Sequence, residues 1–163
     1  MEKDDGSTAT ESQSQGQSQV TLAEALAKAM EYFNAGHVEL TVGICRQILG
    51  AVPAEPNALN IMGLCDHQLG RYGEAVKNYE KASAGNPKEP AFLANMGVSL
   101  QAAGLCAEAA DAYRRALDID GNSALLENNL GAVLMHAGQT REAEEAFMRA
   151  IKIDPGLAEA HNN

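Results

Sequence analysis

Residues 63–87 read GLCDHQLGRYGEAVKNYEKASAGNP, residues 97–120 read GVSLQAAGLCAEAADAYRRALDID, and residues 131–155 read GAVLMHAGQTREAEEAFMRAIKIDP. Each stretch begins 34 residues after the one before. Shifting the chain by that distance lays glycine on glycine at Gly36, Gly70, Gly104 and Gly138, and again at Gly63, Gly97 and Gly131, with Ala29 in the same column. Ala75, Ala109 and Ala143 form a further column, as do Ala82, Ala116 and Ala150. An aromatic column holds Tyr79, Tyr113 and Phe147; a last one holds Pro53, Pro87 and Pro155, with Gly121 in place of the proline. Several columns keeping one register over four units mark a repeat architecture, in which each period is one supersecondary element. The units are 22–55, 56–89, 90–123 and 124–157, and residues 158–163 begin a fifth.

The residue types say what each unit is. A first helix is expected over positions such as 56–69, with Pro56 and Pro90 in a first turn, where a missing N–H costs nothing. The Gly70 column ends that helix, because glycine accepts the left-handed conformation of a C-cap. A second helix is expected over 72–85, closed by Pro87. If the two pack antiparallel, Gly63 is expected to face Ala75 and Ala82, with Tyr79 filling the gap towards the next unit. Thr21 followed by Glu24 is a capping box and opens the first helix of all. One such pair cannot bury its apolar face alone, so units stack. The expected fold is all-α, a solenoid of helix-turn-helix units over residues 21–163.

Composition sets limits on function. The 163 residues carry a formal net charge of -10 and are 45% hydrophobic but only 4% aromatic. A polyanion is repelled by such a chain, so nucleic acid is not an expected partner, nor is an anionic membrane surface. No apolar run approaches the length of a membrane span. Residues 1–20 are polar, rich in Ser and Gln, and read as a disordered tail without the apolar region of a secretory leader. Cys45, Cys65 and Cys106 are odd in number and far apart, which points to free thiols and a reducing, cytoplasmic setting.

The quoted segments resemble the tetratricopeptide-repeat family, whose pattern runs small residue, LG turn, EA, aromatic, A and P. The first unit departs from it: Ala29, Thr41, Cys45 and Ile48 stand where later units hold Gly, Ala, an aromatic and Ala. The resemblance implies a right-handed superhelix with a concave groove lined by the first helix of each unit. The family's groove positions fall on Asn57, Asn60, Ile61, Leu64, His67 and Gln68 in the second unit. In the third they fall on Ala91, Ala94, Asn95, Val98, Gln101 and Ala102, and in the fourth on Leu125, Asn128, Asn129, Ala132, Met135 and His136. Asn95, Asn129 and Asn163 recur at 34-residue spacing. Such a row is similar to the asparagine ladder on the repeat domains of protein O-linked N-acetylglucosamine transferases, and side-chain amides that both donate and accept could grip an extended backbone. The basic residues of the carboxylate clamp that holds chaperone tails are missing from these positions.

No catalytic constellation stands out, and no cofactor or metal is expected. His37, His67, His136 and His161 do not form a metal set, because His67 and His136 sit two units apart and neighbouring helices alone are separated by about 8–10 Å. Cys65 and Cys106 are expected on packed faces, and Cys45 in the aromatic column, as inert thiols. The expected function is a protein-interaction scaffold that takes a peptide or a helix in the groove. Two alternatives rest on further resemblances. The opening over 21–59 is similar to repeat leaders of bacterial glycosyltransferases and sulfotransferases, which would make this the substrate-recruiting arm of a larger enzyme. Acidity and length are similar to type III secretion translocator chaperones. A bare last unit would also allow a homodimer through helix 140–153.

Overall fold

The computed structural model describes residues 21–156. The tail expected at 1–20 and the fifth unit expected at 158–163, with His161 and Asn163, lie outside the described residues. Within them the chain forms α1 (Leu22–Asn34), α2 (Val38–Ala51), α3 (Pro56–Gln68), α4 (Tyr72–Gly85), α5 (Pro90–Ala102), α6 (Cys106–Ile119), α7 (Ala124–His136) and α8 (Thr140–Ile153). Each odd-numbered helix packs on the even one that follows it, and each even one on the next odd one. The result is an α-solenoid.

Local chemistry sets the helix ends. Thr21 and Glu24 make the reciprocal capping box at α1. Glu55, Glu89 and Ser123 cap α3, α5 and α7 through their side chains, with Pro56 and Pro90 in the first turns. The four turns inside the units are all closed the same way. Gly36, Gly70, Gly104 and Gly138 have φ between 72° and 79°, the conformation that costs other L-residues roughly 1–2 kcal/mol. The N–H after each glycine reaches back to close a Schellman turn, as His37 N does to Tyr32 O at 2.9 Å and Leu105 N to Leu100 O at 2.9 Å.

The glycines inside the first helices have another task, and here the sequence reading needs correcting. Gly63 does not face Ala75 and Ala82 first of all; it lies under the ring of Tyr79. A Cβ on Gly63 would stand 2.5 Å from Tyr79 Cε1, one on Gly97 2.8 Å from Tyr113 Cε1, and one on Gly131 2.6 Å from Phe147 Cε1. The ring of the second helix thus occupies the volume that a side chain on the first would need. Tyr79, Tyr113 and Phe147 are buried in one continuous core with Leu93, Met96, Leu130 and Leu134, which joins the units of Tyr79 and Tyr113 to those that follow them.

The first unit solves the same problem with the opposite allocation of volume. Ala29 brings the methyl group and Cys45 gives up the ring; both are fully buried, in a cluster with Ile61 and Cys65. Thr41 is likewise buried, its hydroxyl donating to the His37 carbonyl at 3.0 Å. The departures of this unit from the repeat pattern are therefore mutually compensating.

Odd-numbered helices touch one another directly, α1 with α3 and α3 with α5, whereas no two even-numbered helices make comparable contact. The first helices therefore line the tighter, inner side of the curve, and the second helices its outside.

Gly97→Ala should destabilise the protein by about 1–3 kcal/mol, because its methyl group overpacks the Tyr113 ring. Adding Tyr113→Leu should cost less in the Gly97→Ala background than alone. Urea denaturation of the four proteins of this cycle would reveal additive losses if the two residues did not share one volume.

Candidate functional site

The first helices of the second, third and fourth units carry almost no charge on their free faces, whereas α1 exposes Glu24, Lys28 and Glu31. α5 has no ionisable residue at all. α3 has Asp66 and His67, and α7 has Glu127 and His136. Both carboxylates are buried and tied to neighbours. Asp66 accepts from Arg71 Nη2 at 2.7 Å and from Asn78 Nδ2 at 2.8 Å. Glu127 is gripped by two bonds from Arg149, Nε to Oε1 at 2.7 Å and Nη2 to Oε2 at 3.0 Å. Such two-pronged pairs are among the stronger hydrogen bonds and fix the orientation of the carboxylate. Exposed charge lies instead on the second helices, where Lys77 pairs with Glu74 at 2.9 Å and Arg114 bridges Asp111 and Glu142 at 3.1 Å each.

Apolar groups fill the space left on the inner face. Val98 is 41% exposed, Leu125 56% and Met135 44%, and Leu64, Ala94 and Ala132 are half-buried beside them. Single exposed apolar residues are ordinary; several on the one face that lacks charge form a surface suited to a partner.

The asparagines are arranged differently from a simple row. Asn95 Nδ2 donates to Asn60 Oδ1 at 2.9 Å, a bond from the sixth position of one first helix to the fifth of the preceding one. That pairing leaves Asn60 Nδ2 and Asn95 Oδ1 for a ligand. Asn129 has Ala94 at the matching place, so no such partner exists, and its half-buried amide keeps its full bonding capacity. Asn128 departs from the groove assignment: it is only 4% exposed and lies in the packed interior. Ile61, assigned to the groove as well, is buried in the N-terminal core cluster. Gln101 is half-buried, and His136 exposed.

His67 is half-buried, its Nδ1 2.8 Å from Ser99 Oγ on α5 and its ring 5.3 Å from that of Tyr72. Ser99 was not among the groove residues expected from the sequence. Its signal is there, since it occupies a column that holds Cys65 and Val133 in the flanking units, and a hydroxyl among buried apolar residues calls for a partner. Ser99 also offsets part of the rise that burial imposes on the Tyr79 hydroxyl. Tyr113 meets Val133 in the equivalent place, and its Oη finds no hydrogen-bond partner. Burial pushes the Tyr113 hydroxyl up to about 12, and it pushes the Cys45 and Cys65 thiols up to about 12 and about 11. Such thiols are protonated at neutral pH and poor nucleophiles. Among the described residues no group of three His, Cys, Asp or Glu side chains could hold a metal ion.

The two buried tyrosines give a paired test. Tyr113→Phe removes an unsatisfied hydroxyl and should leave stability unchanged or raise it by up to about 1 kcal/mol, whereas Tyr79→Phe removes a hydroxyl that is not so orphaned and that interacts with Ser99, and should cost roughly 1 kcal/mol. Thermal unfolding of both variants checks the sign of the difference.

Comparison with known proteins gives a consistent picture. A family model described as tetratricopeptide repeat matches residues 68–124, and a second of the same description matches residues 124–157. Compared with curated proteins, the chain has no match. Among solved structures it is similar to MamA of strain MSR-1, at 23% identity and a TM-score of 0.70 over 81% of this chain and 76% of that one. It is also similar to a chain of the APC/C hetero-tetramer Cut9-Hcn1, at 19% identity and a TM-score of 0.77 over 85% of this chain and 28% of that one. A third likeness is to the first repeat domain of Spaghetti (RPAP3) bound to the HSP90 peptide SRMEEVD, at 21% identity and a TM-score of 0.63 over 66% of this chain and 86% of that one. At these identities the likeness concerns the fold.

Proposed function

The chain belongs to the tetratricopeptide-repeat family, and from that membership we propose that it is a protein-interaction scaffold whose ligand is an uncharged, partly apolar segment laid along α3, α5 and α7. The observation that carries this reading is the removal of charge from one face of a chain whose net charge is -10. Charged side chains cover the second helices, while the first helices of three successive units offer Val98, Leu125 and Met135 with the amides of Asn60, Asn95 and Asn129. A charged ligand would lose its hydration on such a face and gain no counter-charge in return.

The amides favour an extended segment over a helix. An extended backbone still has its N–H and C=O groups to offer, whereas a helix has spent them internally. The apolar residues between the amides would take alternate side chains of that segment. The structure of the first repeat domain of RPAP3 holds an acidic peptide. This chain has no Lys or Arg on α3, α5 or α7, so we assign it a different class of ligand. A cytoplasmic setting suits the free thiols of Cys45, Cys65 and Cys106. Among the described residues no helix is long and apolar enough to cross a membrane.

Peptides selected from a random displayed library against the full chain test the proposal. Val98→Glu, and separately Asn95→Ala with Asn129→Ala, should each weaken the selected peptides on the order of tenfold, the fold-change that 1.4 kcal/mol represents. The same variants should lose no more than about 1 kcal/mol of folding stability. Arg115→Ala, on the charged second-helix side, should bind like the parent. Unchanged affinity of the α5 and α7 variants would remove the groove from the account.

A further inference from the structure

One cavity lies away from α3, α5 and α7, in the first unit. It measures about 420 Å³, and its walls include Leu22 and Ala25 of α1, Ile44 and Ile48 of α2, Val52, and Lys28 as the one charged residue among the described ones. The repeat shows what fills such a place. Ala25 and Ile48 stand in the columns of Leu59 and Ala82. Those two form a buried cluster with Phe92, and Leu49, on the second helix of the preceding unit, packs against it. The cavity is therefore the receiving side of the first unit, and the group that matches it is a branched aliphatic side chain on a second helix. Units of a solenoid contact only their neighbours, so each carries a receiving side and an inserting side. The inserting column runs Leu49, Ser83, Leu117 and Ile151. Leu49 and Leu117 pack against cores. Ile151, on α8, is half-buried and has no following unit among the described residues.

Charge points the same way. At each of the three junctions between units, two other columns place an apolar pair in one core: Val42 with Met62, Val76 with Met96, and Ala110 with Leu130. Continuing these columns past both ends of the stack gives Glu144 on α8 and Lys28 on α1. Both are exposed, and neither enters an ion pair among the described residues. Glu144 and Ile151 are seven residues apart, which sets them on one face of α8. Lys28 and the cavity share one face of the first unit.

We propose that the first unit receives α8 of a second copy of this chain, with Ile151 in the cavity and Glu144 against Lys28, so that copies stack head to tail in the register of the repeat. Such a contact joins two different faces, so it propagates from copy to copy unless the curve closes it into a ring. Glu31 limits its strength. It stands in the column of Cys65, Ser99 and Val133, all fully buried, so stacking takes water from a carboxylate. This surface is separate from the neutral inner face, and the proposal does not depend on what that face binds.

Sedimentation velocity of the full chain, residues 157–163 included, tests it. The weight-average mass should rise with concentration. Ala25→Glu, which fills the cavity with a charge, and Ile151→Glu, which does the same to α8, should each leave a monomer. An equimolar mixture of these two variants should give a complex of one copy of each, because each keeps the face that the other has lost. Lys28→Glu and Glu144→Lys, both at exposed positions, should each weaken association several-fold, and together in one chain should restore it. Glu31→Ser should strengthen it. Monomers at every soluble concentration in both the parent and Glu31→Ser would overturn the proposal. So would association that survives Ala25→Glu and Ile151→Glu, a mixture of those two that stays monomeric, or a charge exchange that restores nothing.

Discussion

An aromatic ring laid on a bare glycine is the contact on which the remaining architecture depends. Three times along the chain a first helix gives up its side chain at one position so that a ring from the second can lie against its backbone: Gly63 with Tyr79, Gly97 with Tyr113, Gly131 with Phe147. Protein interiors are packed closely enough that neither partner can grow without displacing the other. The contact sets how near the two helices of a unit come. The rings of Tyr79 and Tyr113 share one core with the unit that follows each, so one residue serves both the pair and the stack. The first unit keeps the sum constant with Ala29 and Cys45.

Once that packing is set, the two sides of the solenoid are free to differ in chemistry. Among the described residues the second helices hold most of the exposed charge, some of it in ion pairs, which are individually worth little while the charges keep the outer surface hydrated. Of the first helices, α3, α5 and α7 retain only Asp66 and Glu127 as carboxylates, each buried and tied to an arginine. These bonds anchor the inner helices to their neighbours and leave the groove neutral. Its remaining polar groups are amides and imidazoles, which recognise a backbone through hydrogen bonds in place of charge.

Much of this was legible from residues 63–155, because a repeat shows the same physical requirement several times over. The turn glycines, the capping box at Thr21 and the helix-opening prolines could be read from residue type alone. The partner of Gly63 could not, since a period tells which residues share a register and is silent on which of them turn to face each other. The asparagines show a related limit. Comparing units at equal positions finds Asn95 above Asn129, but the observed bond joins Asn95 to Asn60, one position out of step, because stacked helices cross at a slant. Asn128 and Ile61 were placed in the groove by position and are buried. Ser99 lies outside the family's groove positions, and it became meaningful only when His67 was found beside it.

The central claim is that a bound segment lies on the neutral face of the first helices. Photo-crosslinking measures this directly: a benzophenone side chain is placed singly at Val98, at Met135 and, on the outer side, at Arg115, and each protein is irradiated with a library-selected peptide. The account predicts adducts from Val98 and Met135 and none from Arg115. Adducts from Arg115 with none from the other two would contradict it.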